Sequence, residues 1–139
     1  MGMQRKRGAD SPFTRRQQII NLLVSLVVAF AVIMLAAVAV RIERLKLLSR
    51  KEPERPASDE FSPTELQAIV LLRFGNKARR QVPEGTVPTI KQAVQWLAEI
   101  GGYTGKSSGG PPGSVTIGRG LREVLVAARV LAATQATCD

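Results

Sequence analysis

Between Arg16 and Arg41 the chain carries no charged residue. The centre of that interval, Leu22 to Val40, reads LLVSLVVAFAVIMLAAVAV, and its only polar side chain is Ser25. As a helix it would be about 28 Å long at 1.5 Å per residue. With Ile19 and Ile20 it reaches the roughly 20 residues needed to cross ~30 Å of hydrocarbon. A helix apolar on every side has no face for water. Nothing in this chain is large enough to wrap it on all sides, so it must enter a bilayer, pair with another copy or aggregate. Twelve of the 19 residues are Leu, Ile, Val or Phe. Each favours insertion by roughly 0.3–0.6 kcal/mol, and no charge opposes them. The expectation is a lipid bilayer partner engaged through residues 19–40, giving a single-pass membrane location if Ile19–Val40 inserts and a cytoplasmic one otherwise.

The flanks do not orient such a span. Arg5, Lys6, Arg7, Arg15 and Arg16 precede it, and Arg41, Arg44, Lys46 and Arg50 follow it. With cations on both sides, the positive-inside rule selects neither. Ala37-Val38-Ala39 has the look of a signal cleavage site, but the apolar stretch exceeds the ~7–15 residues of a signal core.

The chain has 139 residues and a net charge of +9, unevenly placed. Residues 1–56 carry +7 and residues 57–139 only +2. The basic character therefore flanks the apolar run, and the C-terminal part has little electrostatic drive toward DNA. Independent DNA binding is not expected, despite Arg79, Arg80 and Arg119. There is no His and a single Cys, Cys138. That removes the commonest general base, the commonest zinc ligand and any internal disulfide. No cofactor, metal or small-molecule substrate is predicted.

The spacing of apolar residues predicts an all-α chain: a long N-terminal apolar helix, then a small three-helix domain. Residues 1–18 read as a basic tail and 19–51 as the long helix. Its stripe continues through Val38, Ile42, Leu45 and Leu48. Lys51-Glu52-Pro53-Glu54-Arg55-Pro56 stops it, since proline and its predecessor both resist helix. Residues 52–60 read as a linker, and 61–139 as the helical domain. Phe61-Ser62-Pro63-Thr64-Glu65-Leu66 is a complete helix start: Ser62 and Glu65 form a capping box, Pro63 takes the first helical position, and Phe61 and Leu66 staple across it. That helix ends near Phe74 at Gly75-Asn76. Lys77 to Gly85 is a basic loop. Thr89 and Gln92 cap the next helix, whose stripe is Ile90, Val94 (or Ala93), Leu97 and Ile100, with Trp96 at its border as a core residue. Gly101-Gly102 ends it. The last helix runs from Ser114 to about Thr134, with Ile117, Leu121, Val124, Leu125, Ala128 and Leu131 on its apolar face. Gly118 and Gly120 each cost that helix about 1 kcal/mol against alanine, so they serve either a close approach or a frayed first turn.

Gly105-Lys106-Ser107 is not a phosphate-binding loop. Only three residues separate Gly101 from Gly105 where four are required, and the stretch follows a helix rather than a strand.

Residues 90–106, IKQAVQWLAEIGGYTGK, and 111–124, PPGSVTIGRGLREV, resemble the C-terminal dimerisation domain of bacterial cut-and-paste transposases of the Tn5 family. Trp96, Leu97, Gly101, Gly102, Tyr103, Gly105, Pro112, Gly113, Arg119, Gly120 and Leu121 carry the match. FSPTELQAIVLLRFG, 61–75, resembles the preceding helix, and AVAVRIERLKLLSR, 37–50, the long helix that leaves the family's catalytic domain. The resemblance implies a helical interaction module that self-associates or pairs with intact transposase. It departs from the pattern at Gly118 and Leu121, where members often carry tryptophan. The family cuts DNA with three metal-holding carboxylates from an upstream domain. Here Asp10 is the only acid before Glu43. The resemblance therefore implies a truncated, non-catalytic chain rather than an enzyme.

Overall fold

The computed structural model describes residues 12–77, 82–83, 85–105 and 109–137. Among these there are four α-helices and no strand: α1 (Pro12–Lys51), α2 (Pro63–Phe74), α3 (Ile90–Ile100) and α4 (Ser114–Ala136). The all-α expectation of a long helix followed by three shorter ones is met. Short 3-10 turns at Ala57–Asp59 and Gly75–Lys77 flank α2. The chain divides into two compact units, 1–39 and Val40–Asp139.

In the first unit every described side chain is exposed, and from Leu26 onward they are all apolar. The helix is long and apolar enough to cross a membrane, with mean hydropathy 3.0 over its most apolar window and none of that window buried. The basic residues Arg5, Lys6 and Arg7 lie outside the described residues.

The second unit has a core built from all four helices. Leu45 of α1 is fully buried, with Ile42 and Leu48 packed beside it. These are the stripe positions predicted from spacing, and only Val38 remains exposed. Ala68 and Ile69 enter from α2, Ile90, Ala93, Val94, Leu97 and Ala98 from α3, and Ile117, Leu121, Val124 and Ala128 from α4. Ile100, Leu125 and Leu131 pack half-buried at the edge.

The helix ends follow from local chemistry. Ser62 Oγ accepts from Glu65 N at 3.3 Å, and Glu65 Oε2 accepts from Ser62 N at 2.8 Å. Thr89 and Gln92 make the same reciprocal pair at 3.3 and 3.1 Å. Each box satisfies two amide donors that the first turn leaves without a partner. α2 stops at Gly75, whose φ of +51° few other residues adopt. α3 ends in a Schellman arrangement: Tyr103 N donates to Ala98 O and Gly102 N to Glu99 O, with Gly102 at φ +95°.

The segment 52–60 is tied down by its backbone. Ala57 is fully buried and its N–H donates to Pro88 O at 2.9 Å. Ile90 N donates to Arg55 O at 2.7 Å and Lys91 N to Pro53 O at 3.2 Å. These carbonyls satisfy the first amides of α3. Proline stops α1 here and also shapes the chain into an acceptor for the next helix.

Leu45 gives a direct test of this core. Leu45→Ala should destabilise the chain by about 2–5 kcal/mol, the usual range for a fully buried leucine. Leu47→Ala, at a site 51% exposed, should cost under about 0.5 kcal/mol. Chemical denaturation followed by helical circular dichroism measures both.

Candidate association surface

The residues singled out by sequence gather where α3 ends and α4 begins. α3 and α4 cross with almost no side chain between them. A Cβ built on Gly120 would lie 1.8 Å from Leu97 O, and one on Gly101 would lie 1.9 Å from Thr116 O. Both are backbone atoms that cannot turn aside. Gly101 has an ordinary φ of −77°, so closeness, not backbone conformation, requires glycine there. Gly118 differs, because its nearest neighbour is Ile42 Cδ1 at 3.0 Å, the tip of a flexible side chain. Of the two roles open to these glycines, close approach is the one found, and it belongs to Gly120.

Around this crossing the other predicted residues divide into layers. Leu97 and Leu121 are buried in the core. Trp96 packs against the core edge and meets the Phe74 ring edge-on, centroids 5.2 Å apart at 83°. It is a core-border residue, as its position in the helix implied. Tyr103 donates its hydroxyl to Gly110 O at 2.6 Å and ties the two ends of the connecting loop. Gly105 sits in that loop at φ +66°. Gly113 precedes α4 and contributes no side-chain cap, while its carbonyl accepts from Thr116 Oγ1 at 2.9 Å. Pro112 is half-buried and Arg119 exposed. Lys106, Ser107, Arg79, Arg80 and Cys138 lie outside the described residues.

Three ionic ties that sequence reading missed hold the end of α1. Arg41 donates to both carboxylate oxygens of Glu65, at 2.9 and 3.0 Å, and to Glu60 O at 3.3 Å. Its guanidinium also lies 5.7 Å from the Phe61 ring centroid. Arg44 pairs with Glu60 at 2.8 Å, and that carboxylate holds the guanidinium above its ordinary pKa. Glu43 accepts from Ser114 Oγ at the start of α4 and from Lys46 Nζ. Those two hydrogen bonds keep its carboxyl below the ordinary 4.5. Arginines 3 residues apart facing a Glu-rich helix start were the available signal. They read instead as flanking charge for the apolar run.

The outer side of α4 is the open surface. Val115, Arg119, Arg122, Val126 and Arg129 recur at three- and four-residue intervals, Val130 and Ala133 continue the same side one turn after Val126 and Arg129, and all are exposed. Val115, Val126 and Val130 are 68%, 56% and 61% open. Among the described residues none of the three arginines forms an ion pair, and no group of three His, Cys, Asp or Glu stands close enough to hold a metal. The surface has the chemistry of a helix-packing face, valines set among cations that keep it soluble when uncovered.

The unit is thus all-α, with two closely crossed helices and one open helical face. The model of the transposase Tn5 dimerisation domain matches residues 37–137, and the chain belongs to that family. No curated protein matches it, and no solved structure does.

Two outcomes test the geometry. Gly120→Ala should destabilise the unit by about 3 kcal/mol or more, since overpacking against a fixed carbonyl outweighs the gain in helix propensity. Gly118→Ala should stay within about 1 kcal/mol of the parent, because Ile42 can move aside. Thermal unfolding separates the two. The second outcome concerns pH. A carboxyl depressed in the folded state stabilises the fold above its unfolded pKa and loses that contribution as pH falls through the folded value. Ser114→Ala should therefore be less stable than the parent at pH 7 and converge with it below pH 4.5 as Glu43 protonates. Denaturation curves across that range measure the convergence.

Proposed function

We propose that the Val40–Asp139 unit pairs chains of the transposase family, either two copies of this one or this one with an intact transposase, through the outer face of α4. The carrying observation is the exposed row of Val115, Val126 and Val130 in a chain of the dimerisation family. Exposed valines in register along one helix are the kind of anchor that a second helix covers. The proposed role is association and not strand cleavage. The match covers a dimerisation domain, over residues 37–137. In this reading the chain supplies the pairing module and competes for partners.

A second reading concerns residues 19–40, as the span of a single-pass membrane protein with a helical tail. Mean hydropathy of 3.0 with no burial favours it. The two readings are compatible, because they use different residues.

Pairing is tested with two differently tagged full-length copies expressed together and purified through one tag in mild detergent. The second tag should co-purify. Val126→Glu with Val130→Glu in both copies should lower its recovery by about tenfold, as expected for charging the centre of a helix interface. Unchanged recovery would remove the α4 face from the proposal, and no recovery from the parent pair would remove pairing itself.

A further inference from the structure

The pairing reading leaves one large surface unused. From Ile19 to Val40 the described side chains are exposed, including Val27 at 69% and Leu35 at 70%. The exposure goes fully round the helix, since consecutive residues such as Leu22, Leu23 and Val24 are all open. A second helix covers only a stripe, about two positions in seven. It would leave most of this circumference in water. Hydrocarbon covers every side at once. The length agrees, with Ile19–Val40 rising about 33 Å against ~30 Å of hydrocarbon. The charges agree too. Arg15 and Arg16 stand just before the segment and Arg41 just after it, with none between. Arg15 and Arg16 suit the anionic headgroups that border the hydrocarbon, whereas Arg41 is held by Glu65.

We infer that residues 19–40 span a lipid bilayer, and that through pairing this anchor recruits to the membrane a copy of the dimerisation domain that lacks one. The recruitment rests on the pairing proposed above, and the anchor does not. Anchored copies share a surface rather than a volume, so weak pairing partners meet at a higher effective concentration. A soluble partner that pairs with an anchored one is withdrawn from solution. The chain then acts on a transposase by changing where it is.

The experiment uses full-length chains carrying two different tags. One is the parent. The other carries Leu26→Lys and Ile33→Lys, charges placed inside the apolar run. Membranes are floated on a density gradient, so that soluble and aggregated protein both stay at the bottom, and the floating fraction is washed with alkaline carbonate. The parent should float and resist the wash. The charged copy should stay at the bottom when alone, and its floating share should rise by about tenfold when the parent is present. Val126→Glu with Val130→Glu added to the charged copy should cancel that rise.

A parent chain released by carbonate overturns the anchor. A parent that stays in the membrane while the charged copy remains at the bottom overturns recruitment and leaves the anchor standing. If the double variant aggregates by itself, Ile33→Lys alone serves as the charged copy, judged by the same two outcomes.

Discussion

The backbone contact between Gly120 and the carbonyl of Leu97 sets the geometry of the whole C-terminal unit. Two helices that meet through glycine lie closer than side chains would allow, so their neighbours must be small or flat. Ala93, Ala98 and Ala128 fill the core beside larger residues such as Leu97 and Ile117. Such close packing gains dispersion contacts that a looser crossing forfeits. It also fixes the rotation of α4. With Gly120 turned inward, Ile117, Leu121 and Val124 follow it to the core, and Val115, Val126 and Val130 are turned to solvent. The face proposed for pairing is thus a consequence of where a glycine sits on the opposite side of the same helix.

The ionic ties around Arg41 and Glu65 have a supporting role of a different kind. Glu65 is held by the Ser62 amide and by Arg41 together, so a capping residue is also an acceptor for another helix. Partly exposed ion pairs contribute little by themselves. Here the value lies in position. Arg41 also reaches Glu60 O and the Phe61 ring, which places the end of α1 against the start of α2. Glu43 and Ser114 do the same between α1 and α4.

Much of this was legible in the residues. Helix starts at Ser62 and Thr89 were readable because a capping box is local and its partners lie three residues apart. The buried stripes of α3 and α4 were readable because burial follows a fixed period. The roles of Gly101 and Gly120 were harder. A glycine inside a helix reads as a defect until the opposing carbonyl is known, and that carbonyl is 23 residues away in the case of Gly120. The segment 52–60 looked like a linker from its prolines and charges, yet its carbonyls serve the amides of α3. Hydrogen bonds made by backbone leave no mark on side-chain composition. The outer face of α4 was overlooked because mixed valine and arginine resembles an ordinary solvated surface.

Residues on either side of Val40 differ in polar pattern although one helix contains both. From Arg41 onward the helix is amphipathic: Leu45 is fully buried, and Arg44, Leu47 and Arg50 are exposed. A stripe of Ile42, Leu45 and Leu48 is all that packing in the C-terminal unit requires. Upstream there is no stripe, because there is no polar face to contrast with it. The family match begins at residue 37, so it accounts for the amphipathic part and not for the uniform part. A sequence under pressure only to pack against protein retains polar residues on the side that protein does not reach. From Leu26 to Val40 no such side exists, a feature the dimerisation fold does not account for and the proposed bilayer span does.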